Sequence, residues 1–302
     1  MRKIALFNQK GGVGKTTTTV NLGAALAAAG KRVVLVDMDP QANLSFHLGL
    51  DQTKVSLNTY QVLCEGISLA AACVEVAPNL LVAPATTDLA GAEVELVEAA
   101  QRELRLKAAA EAAPFAADYV LIDCPPSLGL LTLNSLCFAD EVIIPLQAHF
   151  LALQGMARLL ETCQLVQQQI NPRLRISGVL FCQYEAAPRL SGEVAEEVET
   201  FFTAARAHDV PWNRTRVFDT QIRRNIKLAE APSFGQSIFH YAPLSAGCAD
   251  YAVLAEEVMK MSDAAPDGEA TGITANQEPA VEQAITVAMV EAPAANLETQ
   301  PQ

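Results

Sequence analysis

Short apolar runs alternate with longer Ala/Leu-rich stretches along most of the chain. The runs are Lys3 to Asn8, Arg32 to Asp37 (RVVLVD), Leu80 to Ala83, Tyr119 to Asp123 (YVLID), Glu141 to Pro145 (EVIIP) and Arg175 to Cys182 (RISGVLFC). Each is only four to eight residues long and mostly uninterrupted by polar positions. That is the signature of a strand buried on both faces rather than one facing water. Between them, helical character is expected over Thr16 to Ala29, Glu93 to Glu111, Gln154 to Gln169, Gly192 to His208 and Ala249 to Met261, with a further helix starting near Leu128. Gly30 is the natural stop for the first helix. Strands alternating with helices in this way predict an α/β fold: a mostly parallel twisted sheet with helices on both faces.

The pattern fails after Ser262. The last segment is rich in Ala, Pro, Glu and Gln, and is expected to be a disordered tail over 263–302 behind a folded domain of residues 1–262. One piece of it, Val281 to Glu291, has the pattern of a brief helix. The tail also changes the meaning of the net charge. The chain carries −13 overall, which taken alone argues against nucleic acid as a partner. Seven of those acids lie in residues 263–302, which hold no Lys or Arg, so the folded part carries only −6.

No export signal is legible, because Met1-Arg2-Lys3 is followed by only four apolar residues before Asn8-Gln9-Lys10. No apolar stretch is long enough to span a membrane. The seven cysteines form no C-x-x-C pair and are expected to be reduced, mostly buried thiols of a cytosolic protein. Little sequence precedes the first strand, which leaves no room there for a helix-turn-helix module.

The chemistry is concentrated in Gln9-Lys10-Gly11-Gly12-Val13-Gly14-Lys15-Thr16-Thr17, between the first strand and the first helix. Glycines there let backbone N–H groups turn toward phosphate oxygens, and the following helix offers its positive end to the same anion. In such a loop Lys15 reaches the β- and γ-phosphates and the Thr16 hydroxyl serves Mg²⁺. Two carboxylates at the end of the second strand, Asp37 and Asp39 in Val36-Asp37-Met38-Asp39-Pro40-Gln41, face the same edge of the sheet. Asp123 closes the buried strand Tyr119 to Asp123. The densest basic stretch holds Arg214, Arg216, Arg223, Arg224 and Lys227 with a single acid, Asp219, among them. Contacts from such a cluster to phosphates are sequence-independent and salt-sensitive. The alternative is a solvated face paired with acids of the Glu193 to Glu199 helix.

KGGVGKTT, with Gln9 in the usual first glycine position and the extra Lys10, resembles the deviant Walker A loop of the ParA/MinD partition and positioning ATPases, a branch of the P-loop NTPases. The resemblance runs from residue 2 to about 262. Ile222-Arg223-Arg224-Asn225-Ile226-Lys227-Leu228-Ala229-Glu230-Ala231-Pro232-Ser233-Phe234-Gly235 is similar to the family's I-P-R-N-V-R-L-(S/A)-E-A-P-S-x-G stretch, with Arg223 where Pro is usual. Cys182-Gln183-Tyr184-Glu185 matches the family's base-proximal T-x-(Y/F)-D only loosely. The resemblance implies an ATPase with ATP and Mg²⁺ held by Lys10, Gly11, Gly12, Val13, Gly14, Lys15, Thr16 and Thr17, and by Asn225 near the adenine. It implies metal contacts through Thr16, Asp37 and Asp123, and catalytic roles for Lys10, Lys15 and Asp39. Lys10 would cross to the nucleotide of a second subunit and Asp39 would orient the attacking water. It further implies an ATP-dependent homodimer that binds non-specific DNA through Arg223, Arg224 and Lys227. A ParB-like protein or cargo adaptor would stimulate hydrolysis, in a cytoplasmic, nucleoid-associated cycle that moves a plasmid, a chromosome origin or a protein cargo. A membrane-cycling relative would need a basic amphipathic C-terminal helix, and no basic residue follows Lys260. A metabolic P-loop enzyme of the same superfold is the other alternative.

Overall fold

A computed structural model describes residues 1–149, 152–184 and 189–263. The expectations for the acidic tail and its 281–291 helix, and for Glu185, fall outside the described residues. The first strand, β1 (Arg2–Leu6), runs into the glycine loop and α1 (Lys15–Ala28), then β2 (Val33–Asp37). Three short helices follow, α2 (Asn43–His47), α3 (Thr59–Cys64) and α4 (Leu69–Ala72), and a hairpin of β3 (Val74–Ala77) and β4 (Leu80–Ala83). Next come α5 (Leu89–Glu95), α6 (Arg105–Ala112), β5 (Tyr119–Asp123), α7 (Leu130–Phe138), β6 (Glu141–Leu146), α8 (Ala152–Gln169) and β7 (Arg175–Tyr184). The chain closes with α9 (Arg189–Ala205), the two-residue strands β8 (Arg216–Val217) and β9 (Ile222–Arg223), α10 (Ile226–Glu230), α11 (Ile238–Tyr241) and α12 (Ala246–Asp263).

Among the described residues the sheet has nine strands in the order β3-β4-β2-β5-β1-β6-β7-β8, with β9 pairing β7. All pairs are parallel except β3 with β4 at one edge. The period-2 alternation of each strand divides the core in two. Ala5, Val34, Val36, Val120, Ile122 and Val142 face the layer that contains Leu106, Leu136 and Leu160. Ile4, Leu6, Val33, Leu35, Leu121 and Ile143 face α1 and α12 through Leu22, Leu26, Leu254 and Val258. Both faces are thus covered, which is what continuous apolar strands require. The order reverses around β1, so the loop after β1 opens into a crevice between neighbouring crossovers at the carboxyl edge of the sheet.

One expectation needs correction, and one edge strand was missed. The single helix expected over Glu93 to Glu111 is interrupted: Gln101 has φ +52, a left-handed value, and a 3₁₀ turn at Arg102–Leu104 starts the chain afresh into α6. The break is held from outside the segment. Buried Asn134 on α7 accepts a hydrogen bond from the Leu106 N–H at 3.1 Å and donates to the Arg102 carbonyl at 2.8 Å. The edge strand β3 was not legible either. It is joined to β4 by Pro78-Asn79, with Asn79 at φ +63, and its Val74 and Glu75 are exposed, so it lacks the buried-strand pattern.

Candidate functional site

The loop between β1 and α1 is shaped by its glycines and pinned from three sides. Gly12 (φ +74) and Gly14 (φ +98) take left-handed conformations, and a Cβ at Gly14 would meet the Cys182 side chain at 3.4 Å. Asn8 donates to the Pro145 carbonyl (2.8 Å) while its Oδ1 accepts from the Lys10 N–H (3.0 Å). The amides of Gln147 and Gln183, at the ends of β6 and β7, both donate to the Gly12 carbonyl, at 3.2 and 2.8 Å. No side chain caps α1, so its first N–H groups remain available to an anion at the loop. Lys15 is 7% exposed and its ammonium donates to the Lys10 carbonyl at 3.2 Å. Burial pushes the Lys15 ammonium below its ordinary value, against the attraction of Asp123. Behind the loop, the Thr18 hydroxyl lies 3.2 Å from the Tyr251 hydroxyl of α12.

Three aspartates stand at the same sheet edge. Asp37 and Asp123 are register partners at the ends of β2 and β5, both fully buried. Asp37 accepts from the Asp39 N–H (3.2 Å), the Ser45 N–H (3.0 Å) and the Ser45 hydroxyl (2.7 Å), and burial still pushes its carboxyl up to about 6. Asp123 is pushed well above the carboxylate range by burial and by neighbouring Asp37. Its Oδ2 is buried without a hydrogen-bond partner, while its Oδ1 receives a long contact, 3.5 Å, from Thr19, and the nearby Thr16 hydroxyl works against the upward push on the carboxyl. A buried, unpartnered carboxylate oxygen is a costly arrangement unless a cation completes it. Asp39, 8% exposed, accepts from the Gln41 N–H at 2.9 Å through Oδ1. Among the described residues no group of three or more His, Cys, Asp or Glu is arranged to hold a metal by itself. Thr16 and Asp123 offer hard oxygen donors, and a site with few protein ligands suits Mg²⁺, which keeps water and substrate phosphates in its shell.

The C-terminal basic segment is brought to the same end of the sheet by β9, which pairs with β7 at Cys182 and Tyr184. Asn225 caps α10, its Oδ1 accepting from the Lys227 N–H at 2.8 Å. Arg223 is gripped by Asp250 of α12, through its N–H (3.0 Å) and its guanidinium (3.0 and 2.5 Å to Oδ1). Lys227 pairs with Glu230 at 2.9 Å, and Glu230 also accepts from the Tyr241 hydroxyl at 2.7 Å. The acids that meet these two basic residues therefore come from α10 and α12, not from the Glu193 to Glu199 helix. Asn8, Gln147, His149, Asp250 and Tyr251 were not singled out from the sequence, and Gln183 only as part of a segment read as base-proximal. Asn8 alone had a signal, its place beside the glycine motif; the others arrive from distant parts of the chain. The seven cysteines are all free. No helix among the described residues is long and apolar enough to cross a membrane.

Residues 1–176 match a family model described as an AAA domain. Over 259 residues the chain is 48% identical to the sporulation initiation inhibitor protein Soj of Bacillus subtilis, covering 84% of this chain and 97% of that one. It is 44% identical over 260 residues to the chromosome-partitioning ATPase Soj of Treponema pallidum, covering 85% and 97%. Among solved structures, cobyrinic acid a,c-diamide synthase of Mycobacterium smegmatis with bound ADP and magnesium aligns with a TM-score of 0.72 at 37% identity, covering 87% of this chain and 96% of that one.

Proposed function

The chain belongs to the Soj and ParA family of partition ATPases, and from that premise we propose that ATP joins two of its subunits into a pair that holds DNA without sequence preference. In this reading a ParB-like protein or cargo adaptor stimulates hydrolysis and release, and the cycle positions a DNA or protein cargo on the nucleoid in the cytoplasm. The observation that carries it is the loop itself: a glycine cradle at an uncapped helix start, with Lys15 buried inside and Lys10 exposed at its rim. Two cations of different accessibility suit two duties. Lys15 neutralises the β- and γ-phosphates of its own subunit's ATP. Lys10 reaches the ATP of a second subunit, so the two close face to face only when a triphosphate supplies the negative charge between them.

The residues from Gly11 to Thr17 turn their N–H groups to the phosphates, and Asn225 lies toward the base. Mg²⁺, beside Thr16 and Asp123, would compensate charge on the phosphates as a Lewis acid. Asp37 adds negative charge to that surrounding while its oxygens hold Ser45 and the Asp39 backbone. Asp39, near the crevice surface, orients the attacking water. The basic run of Arg223, Arg224 and Lys227 turns toward DNA, twice over in the dimer, which multiplies avidity, although Asp250 already answers the charge of Arg223.

Light scattering on the turnover-blocked Asp39→Ala chain tests the switch. A dimer is expected with ATP and Mg²⁺ and a monomer with ADP, and Lys10→Ala should bind ATP yet stay monomeric. A chain that stays monomeric at saturating ATP sinks the reading. Retention on DNA that survives charge reversal of Arg223, Arg224 and Lys227 together removes the DNA face from it. The name of the mycobacterial neighbour favours a second reading, a P-loop synthase. That reading predicts substantial turnover on a small substrate and no response to DNA.

A further inference from the structure

The exposed Lys10 ammonium is not left to solvent. It meets Nε2 of His149 at 2.5 Å. Everything else around Lys10 is already fixed: its N–H is held by Asn8 and its carbonyl by Lys15. Only its side chain retains a choice of partner. His149 sits in a tight turn after β6, its N–H donating to the Gln147 carbonyl at 2.9 Å. The Gln147 amide of the same turn donates to the Gly12 carbonyl. One three-residue turn therefore grips the phosphate loop at Gly12 and receives the loop's exposed cation two residues earlier.

We propose that His149 is a positioning residue that parks Lys10 on its own subunit until a partner's ATP draws it away, so that subunit pairing depends on the protonation of His149. The proposal rests on the reading that Lys10 serves the partner's nucleotide. The chemistry is specific. An ammonium has only donors, so it needs the neutral imidazole, with the proton on Nδ1 and the lone pair on Nε2. An imidazolium has no lone pair and carries a like charge, so protonation ejects Lys10. Among the described residues Lys10 is the charged group that meets the ring; Lys15, the next cation along the loop, is turned to the Lys10 carbonyl instead.

The test compares the Asp39→Ala chain carrying His149, His149→Ala or His149→Gln, titrated with ATP and Mg²⁺ and followed by sedimentation between pH 5.5 and 7.5. The same series on the otherwise native chain with a non-hydrolysable ATP analogue guards against an effect of Asp39→Ala. At pH 7.5 the dimer dissociation constant of His149→Ala should be roughly 25-fold below its parent's, about fivefold for the one hydrogen bond released in each of the two subunits. His149→Gln retains an acceptor for Lys10 at every pH, so it should match the parent at pH 7.5. At pH 5.5 the parent should approach His149→Ala while His149→Gln lags behind. Equal dimerisation of parent and His149→Ala at pH 7.5, or His149→Gln tracking the parent across the whole range, overturns the parking role and leaves the ATP dimer standing. Absence of a dimer in every variant overturns the proposed function, and the parking role with it.

Discussion

At the scale of single residues the site is built against its own stability. Asp37 and Asp123 lie side by side at two strand ends, both fully buried, and both resist ionisation, Asp37 up to about 6 and Asp123 well above the carboxylate range. Asp123 has the weaker support, a 3.5 Å contact from Thr19 and the neighbouring Thr16 hydroxyl, against three bonds for Asp37. Asp123→Asn keeps the volume and removes the charge. It should raise the melting temperature in EDTA, by about 1–3 kcal/mol of stability, and lower Mg²⁺-dependent ATP hydrolysis at least about 100-fold. A destabilised but active variant would mean that Asp123 is structural. His47 gives a pH test of the fold. Burial lowers its imidazole from 6.5 to about 4, with Nε2 unpartnered. The unfolded chain therefore takes up this proton first. The stability that depends on neutral His47 is present above pH 6.5 and is lost as pH falls toward 4, on the order of 3 kcal/mol. Asp37 has the opposite sign, because the folded form protonates first, between about 6 and 3.8. The two effects separate in His47→Leu: the stability of this variant relative to the native chain, from urea midpoints, should rise as pH falls from 6.5 to 4. A constant difference across that window contradicts the assignment.

At the scale of elements, the central strands and the glycine loop were legible because their signals are local. RVVLVD and YVLID are apolar on both faces wherever they sit, and KGGVGKTT carries its own backbone geometry. What was not legible depends on partners from elsewhere. The stretch from Glu93 to Glu111 has good helix formers throughout, and nothing within it announces a left-handed Gln101. The break is imposed by Asn134, about thirty residues downstream, which makes a third hydrogen bond to the Leu130 carbonyl of its own helix at 2.9 Å. Helix propensity, worth tenths of a kcal/mol per residue, yields to buried polar groups that each cost about 1–3 kcal/mol if orphaned. Asn134→Ala strands the Leu106 N–H and the Arg102 carbonyl together, so it should cost about 2 to 3 kcal/mol. The urea midpoint should fall with an unchanged denaturant slope. A loss under about 0.5 kcal/mol would show that the break is held by packing of Leu104 and Leu106 instead.

At the scale of the whole molecule, the charge that bears on the proposed DNA contact is a balance the sequence displays only on one side. The basic run from Arg214 to Lys227 is plain in the chain, but the acids that cover two of its members are set by the fold. Glu230 is close in sequence, whereas Asp250 lies 27 residues beyond Arg223 and meets it because α12 packs across β9. Arg223 thus arrives at the surface with its charge already answered by a carboxylate in bidentate geometry, which resists exchange for a phosphate. Its removal should change the salt dependence of DNA binding by much less than one ion. Asp250→Asn makes the converse case. The amide keeps an acceptor for the Arg223 N–H and removes the competing charge, so Arg223 becomes available to a phosphate. In the ATP-bound Asp39→Ala chain, affinity for a random duplex should rise several-fold at low salt. The slope of log K against log salt should steepen by up to about one per subunit. The double variant Asp250→Asn with Arg223→Ala should return the slope to its starting value, which ties the gain to this guanidinium and not to net charge alone. If Asp250→Asn folds normally and leaves the slope unchanged, Arg223 faces away from the DNA in the assembled dimer, and the contact belongs to other members of the basic run.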